Sequence, residues 1–236
     1  MNKENDQVVI RNKVSGMMKH GRWRALRNMP VGWLSQSLHS TDSSERYFRI
    51  IVEVLVFIIA VNVLSWGSNF VEKFFLVGIA VHSVFWLLFG SFWVYMLDSF
   101  DWVENGGIYN VIDYVDLTKK ALNMVDCTDA VLIYGSMSRS KFHNGSDLDL
   151  RILKRQDSNL GLVSLPLSAL LKAYSFFIKV PVDYQVVDSM EFLSGQMRAD
   201  ELPIIISVSD RVDIESSEFS YEQIKANPNI ILRDAN

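Results

Sequence analysis

Two aspartates stand one residue apart near the middle of the chain, in the segment SDLDL at residues 146–150. On a β-strand the carboxylates of Asp147 and Asp149 leave the same face of the sheet, while Leu148 and Leu150 point to the other face. Like charges this close repel each other, so packing alone does not explain the pair. Grouped carboxylates are hard ligands that favour Mg²⁺ or Mn²⁺.

A third acidic residue, Asp183, lies near the start of an alternating stretch, VDYQVVD at residues 182–188. Alternation of this kind predicts a β-strand. If this strand lies beside the strand of Asp147 and Asp149, the three carboxylates converge, and they cannot all stay ionised without a cation. Divalent ions held there would bridge phosphate groups and polarise an incoming hydroxyl.

A glycine-serine pair, Gly135 and Ser136, follows the short apolar run Ala130–Tyr134. A glycine after a strand lets the backbone approach a ligand closely, and a serine hydroxyl with neighbouring N–H groups can hold phosphate oxygens. Arg139 and Lys141 follow one or two turns later, where their cationic groups can reach a polyphosphate. The sequence therefore predicts a nucleotide-binding turn beside the carboxylates.

The surrounding sequence predicts an α+β domain over residues 98–236. Apolar runs bounded by turn residues predict strands, and apolar residues at helical spacing predict helices. We expect the second strand to carry Arg151 on the face opposite the aspartates, as a surface charge or, alternatively, paired with a phosphate. The predicted strands are Ala130–Tyr134, Leu148–Leu153, Val182–Asp188 and Leu202–Val208, and the predicted helices are Tyr109–Met124, Leu162–Ile178 and Met190–Met197.

Two apolar runs precede this domain, Ile50–Trp66 and Phe74–Leu97, and the second has no Asp, Glu, Lys or Arg. A helix over the second run would be about 36 Å long, enough to cross a hydrocarbon core of about 30 Å. A buried hairpin of a soluble protein is disfavoured because soluble helices normally keep one polar face. Residues 50–97 therefore predict a transmembrane α-helical hairpin.

The distribution of charge predicts the orientation of that hairpin. Residues 1–49 contain nine Lys or Arg against four Asp or Glu, so this basic arm is expected in the cytoplasm, with the C-terminal domain on the same side. The predicted location is the cell membrane, with two spans and both termini cytoplasmic. Residues 98–236 contain 13 basic and 21 acidic residues, which argues against a general nucleic-acid-binding surface.

Gly135-Ser136, the segment at residues 146–150 and the later Asp183 together resemble the signature of the DNA polymerase β-like nucleotidyltransferase superfamily, closest to its minimal nucleotidyltransferase branch. The resemblance covers about residues 131–188. It implies a small mixed β-sheet with flanking helices and a reaction that uses an NTP and two divalent ions. In that family the serine helps to bind the triphosphate. The first two aspartates bind the ions, and the third completes the site and helps to deprotonate the acceptor hydroxyl.

The predicted activity is transfer of a nucleoside monophosphate from an NTP to a hydroxyl acceptor. Anchoring in the bilayer would suit a membrane-bound acceptor, such as a lipid-linked glycan, a phospholipid or a membrane protein; a partner toxin is a further possibility. Many members of the branch have glycine where this chain has Ser140. This replacement favours the alternative, a nucleotidyltransferase-fold protein with little or no turnover that senses nucleotide or binds a regulatory partner.

Overall fold

The computed structural model describes residues 29–34, 42–64, 70–89, 92, 96, 105–156, 163–196 and 201–232. Most of the predicted basic arm, residues 1–28 and 35–41, lies outside these ranges. The helices are α1 Ser43–Leu64, α2 Phe70–Phe89, α3 Ile108–Val125, α4 Gly135–Ser138, α5 Ser164–Phe177, α6 Met190–Gln196 and α7 Tyr221–Ala226, followed by a 3₁₀ turn at Pro228–Ile231. The strands are β1 Thr128–Tyr134, β2 Leu148–Lys154, β3 Val182–Val187 and β4 Ile204–Val208.

The four strands form one mixed sheet in the order β3-β2-β1-β4. Strand β1 is antiparallel to both β2 and β4, whereas β2 and β3 run parallel. A parallel pair needs a crossover connection, and α5 provides it between β2 and β3. The prediction of an α+β fold with a small mixed sheet and flanking helices is confirmed, and each predicted strand and helix of this domain lies within a few residues of its observed bounds.

The two faces of the sheet are covered differently. Helices α3, α5 and α7 pack on one face, where Leu148 and Leu150 of β2 are buried as the alternation predicts. The other face carries a smaller apolar cluster that includes Leu132 and Leu193 of α6. Asp149, between two core leucines on β2, therefore points to this second, less covered face. The fold thus keeps the carboxylates out of the main core.

The first turns of α1 pack against the exposed edge of the sheet. Glu45 accepts a hydrogen bond from the backbone N–H of Val186 at 3.0 Å, and Asp42 accepts one from the N–H of Asp188 at 2.6 Å. Strand β3 is at the end of the sheet, so these carboxylates satisfy backbone groups that no further strand pairs. The last residues of the predicted arm, from Asp42 onwards, therefore pack against the α+β domain.

The prediction of two membrane spans is wrong. None of the helices among the described residues combines the length and the apolar character needed to cross a bilayer. In α1, the first half carries Glu45, Arg46, Arg49 and Glu53. In α2, the uncharged part is residues 74–89, about 24 Å of helix against a hydrocarbon core of about 30 Å. Most of the predicted continuation, residues 90–97, lies outside the described ranges.

Charged and polar side chains between α1 and α2 provide a further reason. Glu53 of α1 contacts His82 of α2, with 2.7 Å between Oε1 and Nδ1. The other ring nitrogen of His82 lies 2.8 Å from the carbonyl oxygen of Trp33, in a helical segment at residues 29–34. The described parts of the two apolar runs thus lie in a helix pair joined by polar contacts. The structure therefore does not support the predicted cell-membrane location with two spans, or the orientation of the termini that was derived from it.

Candidate functional site

Asp149 and Asp183 are paired across the parallel strands β2 and β3. Adjacent strands are about 4.8 Å apart, and paired residues project from the same face of the sheet. Asp147 directly precedes β2 and lies close enough to raise the pKa of Asp149. The expectation that the later strand lies beside the first is therefore confirmed, and all three predicted carboxylates lie at one end of the sheet.

A buried arginine lies between two of these carboxylates. The Nη2 atom of Arg151 is 2.8 Å from Oδ2 of Asp183 and 3.5 Å from Oδ1 of Asp149, and its Nη1 donates to the carbonyl of Asp183 at 2.9 Å. The Arg151 side chain is only 8% exposed. The expectation of a surface charge on the opposite face is wrong, because residues 149 and 151 share a face when side chains alternate.

The electrostatics divide the carboxylates into two kinds. Burial, together with the negative charges of Asp147, Asp183 and Glu201, raises the pKa of Asp149 to about 7, although Arg151 acts against this shift. Burial also disfavours the charged form of Asp183, but the charges of Arg151, Lys172 and Arg49 and a hydrogen bond from Arg151 together hold its pKa below its ordinary value. Protonation is therefore more favourable at Asp149 than at Asp183.

The predicted glycine-serine pair forms the turn that follows β1. Gly135 has φ +77°, and a Cβ atom there would lie 1.8 Å from Oδ2 of Asp149 and 2.8 Å from its Cγ. Only glycine avoids this overlap, and it also tolerates the positive φ. The hydroxyl oxygen of Ser136 is buried and has no hydrogen-bond partner among the described residues. The turn and the carboxylate are therefore in direct contact.

A fourth carboxylate, Glu201, occupies the turn, and sequence reasoning missed it. Its Oε1 accepts from the N–H of Gly135 at 2.7 Å, from Nη1 of Arg139 at 3.1 Å and from the hydroxyl of Ser138 at 3.4 Å. The Glu201 side chain is 6% exposed. Its only sequence signal is a position three residues before β4, and only the observed pairing of β4 with β1 places that position beside Gly135.

The other two predicted nucleotide ligands lie on the outer side of this turn. Arg139 is partly exposed and paired with Glu201, so it is within reach of the predicted phosphate site. Lys141 is exposed, and its backbone N–H donates to the carbonyl of Ser136 at 2.8 Å. Between them, Ser140 adopts φ +53°. This is the left-handed conformation that glycine adopts most easily.

Within the described ranges, no three His, Cys, Asp or Glu side chains are arranged as a metal site. The pairing of Asp183 with Arg151 explains why, since this carboxylate faces a guanidinium instead of its two neighbours. The chemistry of the donors still fits a hard divalent cation, because Asp147, Asp149 and Asp183 offer carboxylate oxygens and Asp149 lies in excess negative charge. Mg²⁺ or Mn²⁺ therefore stays a prediction.

Comparison with known proteins adds no assignment. No protein-family model matches the chain, and no curated protein matches it. The functional conclusion therefore depends on the residues and the geometry of this site.

Proposed function

We propose that the α+β domain is a nucleotidyltransferase that transfers a nucleoside monophosphate from an NTP to a hydroxyl acceptor and releases pyrophosphate. The observation that carries this proposal is the pairing of Asp149 with Asp183 on parallel strands, directly beside the Gly135 turn. Such a reaction needs two parts: a glycine turn that approaches the phosphates, and a group of carboxylates that holds the cations. A membrane-bound acceptor depends on the rejected anchoring and has no further support.

Asp147, Asp149 and Asp183 are the residues that would hold Mg²⁺ or Mn²⁺. When bound, such ions neutralise the triphosphate and acidify the attacking hydroxyl. Arg151 orients Asp183 through two contacts. For Asp183 to reach a cation as well, the carboxylate must use its second oxygen, because Oδ2 is held by Arg151.

Gly135, Ser136 and Arg139 are proposed to hold the phosphates. The Gly135 N–H and the Arg139 guanidinium already bind an anionic oxygen in the structure, that of Glu201. The buried Ser136 hydroxyl lacks a partner among the described residues and would gain one from a phosphate oxygen. These donors would hold the negative charge of a triphosphate after the Glu201 carboxylate has left Gly135 and Arg139.

In the transfer step, the acceptor oxygen forms a bond to the α-phosphorus while the bond from that phosphorus to pyrophosphate breaks. The acceptor's proton must leave during this step. The resemblance assigns its removal to Asp183.

The test is a transfer assay on the full chain. ATP, CTP, GTP and UTP labelled in the γ-phosphate are incubated with Mg²⁺ and glycerol as a simple hydroxyl acceptor, and labelled pyrophosphate is separated by chromatography. We expect release from at least one NTP, and a loss of at least about a hundredfold in the Asp147→Asn, Asp149→Asn double variant. The control is Asp129→Asn, which removes a buried carboxylate at the opposite end of β1. Equal rates in the double variant and the control would contradict the proposal.

A second candidate is a nucleotide-binding regulator with no turnover. Two observations favour it. The Glu201 carboxylate occupies the predicted phosphate-binding turn at Gly135, and Arg151 binds the carboxylate of Asp183. Ser140, in place of the glycine that many members of the resembled branch have, is a sequence feature that also favours it. Equilibrium binding of the same NTPs separates the two functions. Saturable binding without pyrophosphate release from any NTP would identify a regulator.

A further inference from the structure

The Glu201 carboxylate is bound in the way that a phosphate oxygen would be. Three donors of different kinds converge on one oxygen, Oε1: a backbone N–H from Gly135, a hydroxyl from Ser138 and a guanidinium from Arg139. The carboxylate is almost fully buried beneath them. Charge-assisted hydrogen bonds of this type are the ones that bind phosphate oxygens in proteins. The turn therefore already holds an anion, and that anion belongs to the chain itself.

This position is unfavourable for a carboxylate that serves only as a structural acceptor. Glu201 lies close enough to Asp149 for its charge to raise the pKa of that residue. A neutral acceptor would satisfy the Gly135 N–H without adding negative charge to a group of three aspartates. Arg139 offsets part of this repulsion, but its side chain is 37% exposed, and solvent screens the pair.

We propose that Glu201 is an internal competitor for the phosphate site, and that the side chain must leave the Gly135 turn before a polyphosphate binds. This inference rests on the proposed function, because it gives the turn the same ligand. Its consequence is a lowered affinity for nucleotide in the unmodified protein. An incoming phosphate oxygen must replace all three contacts with Oε1 at once.

The test compares affinities for two probes, ATP and inorganic tripolyphosphate, by isothermal titration calorimetry on the full chain with Mg²⁺ present. Glu201→Gln keeps an acceptor oxygen but removes the charge, and Glu201→Ala removes both. We expect both variants to bind each probe at least about tenfold more tightly than the unmodified protein. The control is Glu222→Gln, which removes the same charge at a side chain that is 71% exposed and pairs with Lys119. This control is expected to leave both affinities unchanged.

Three results decide the inference. If Glu201→Gln and Glu201→Ala bind both probes no more tightly than the unmodified protein, Glu201 is not a competitor, while the nucleotide function stands. If neither the unmodified protein nor any variant binds either probe, both the inference and the proposed function fail. If the two variants do not fold, Glu201→Asp replaces them, since it keeps the charge and withdraws it by one methylene group. That variant is expected to bind the probes about threefold more tightly, and unchanged affinity would overturn the inference.

Discussion

The paired strands β1 and β2 carry acidic residues at both ends, and the two ends treat them differently. At one end, Asp129 lies within 4.0 Å of the guanidinium groups of both Arg155 and Arg211 and accepts a hydrogen bond from Ser209 at 3.1 Å. At the other end, Asp149 lies 3.5 Å from Arg151 but is also close to the carboxylates of Asp147, Asp183 and Glu201. Burial alone therefore does not distinguish the two acids.

The difference lies in how completely the protein neutralises each carboxylate. Two arginines and a hydroxyl surround Asp129, as expected for a structural acid in a folded domain. At Asp149, burial and the charges of three neighbouring carboxylates together raise the pKa to about 7. An arrangement of this kind is costly unless a cation or a proton joins it. Acidic residues therefore indicate a binding site where neighbouring positive groups do not neutralise their charge.

The largest effect should come from Gly135, the glycine that contacts the carboxylate of Asp149. In Gly135→Ala, the alanine would have to adopt a positive φ, and its Cβ would lie 1.8 Å from Oδ2 of Asp149. We therefore expect this variant to lower the free energy of unfolding by about 3 kcal/mol or more. Urea denaturation measures this. Gly107→Ala shares the positive φ but meets no atom within 4 Å, so only backbone strain should lower its stability, by about 1–3 kcal/mol and by less than in Gly135→Ala.

A third glycine completes this series. Gly195 lies in helix α6 with no atom within 4 Å of an added Cβ. Gly195→Ala should therefore leave stability unchanged or raise it by up to about 1 kcal/mol, since alanine favours helix. Similar losses in the Gly135 and Gly107 variants would show that the close contact between the turn and Asp149 does not exist.

A medium effect is expected from neutralising the two buried acids in turn. The folded protein keeps a proton on Asp149 that the unfolded chain releases, so its stability falls as pH rises from about 4 towards 7. Asp149→Asn should therefore stabilise the protein at pH 8 by about 2 kcal/mol, with a smaller gain at pH 5. The measurement is urea denaturation in EDTA at both pH values.

Asp129→Asn is the matched change at the opposite end of the paired strands β1 and β2. It weakens contacts with Arg155 and Arg211, so we expect a loss of about 1 kcal/mol at pH 8. Opposite signs for the two variants would sharpen the comparison between the ends. A loss of stability in Asp149→Asn at pH 8 would break it, because Asp149 would then be as well neutralised as Asp129.

The smallest effect concerns the backbone of the turn. Ser140 has φ +53°, so Ser140→Gly should raise the free energy of unfolding by about 0.5 kcal/mol, after the greater flexibility of glycine in the unfolded chain is allowed for. Lys179, with φ +57° outside the site, is the control and should respond alike. Affinity for ATP should not change. A large change in ATP affinity for Ser140→Gly would show that the serine does alter the phosphate turn.

Local pattern was enough to predict the α+β domain and the convergence of three carboxylates. The strands around Leu148 and Val182 are apolar, alternate clearly and end at turn residues, so their type and approximate bounds follow from the sequence. Gly135 was predictable as a close-approach position for a similar reason, since it interrupts the chain directly after a strand. In each case the deciding information lies within a few residues.

Contacts between distant segments were not predictable in this way. Glu201 reaches Gly135 only because β4 pairs with β1, and Glu45 reaches Val186 across most of the chain. The apolar runs before the domain were misread for a related reason. Hydropathy measures how few charges a run contains. It does not show that Glu53 and His82 meet between two helices, or that α2 begins with charged residues.

The most direct test of the account is the position of bound Mn²⁺ in crystals of the full chain grown with a non-hydrolysable ATP analogue, located by anomalous scattering. We predict Mn²⁺ at the carboxylates of Asp147 and Asp149, with the phosphates at Gly135 and Ser136 and the Glu201 side chain displaced from the turn. Nucleotide bound elsewhere, with no Mn²⁺ at these carboxylates, would contradict the proposed function.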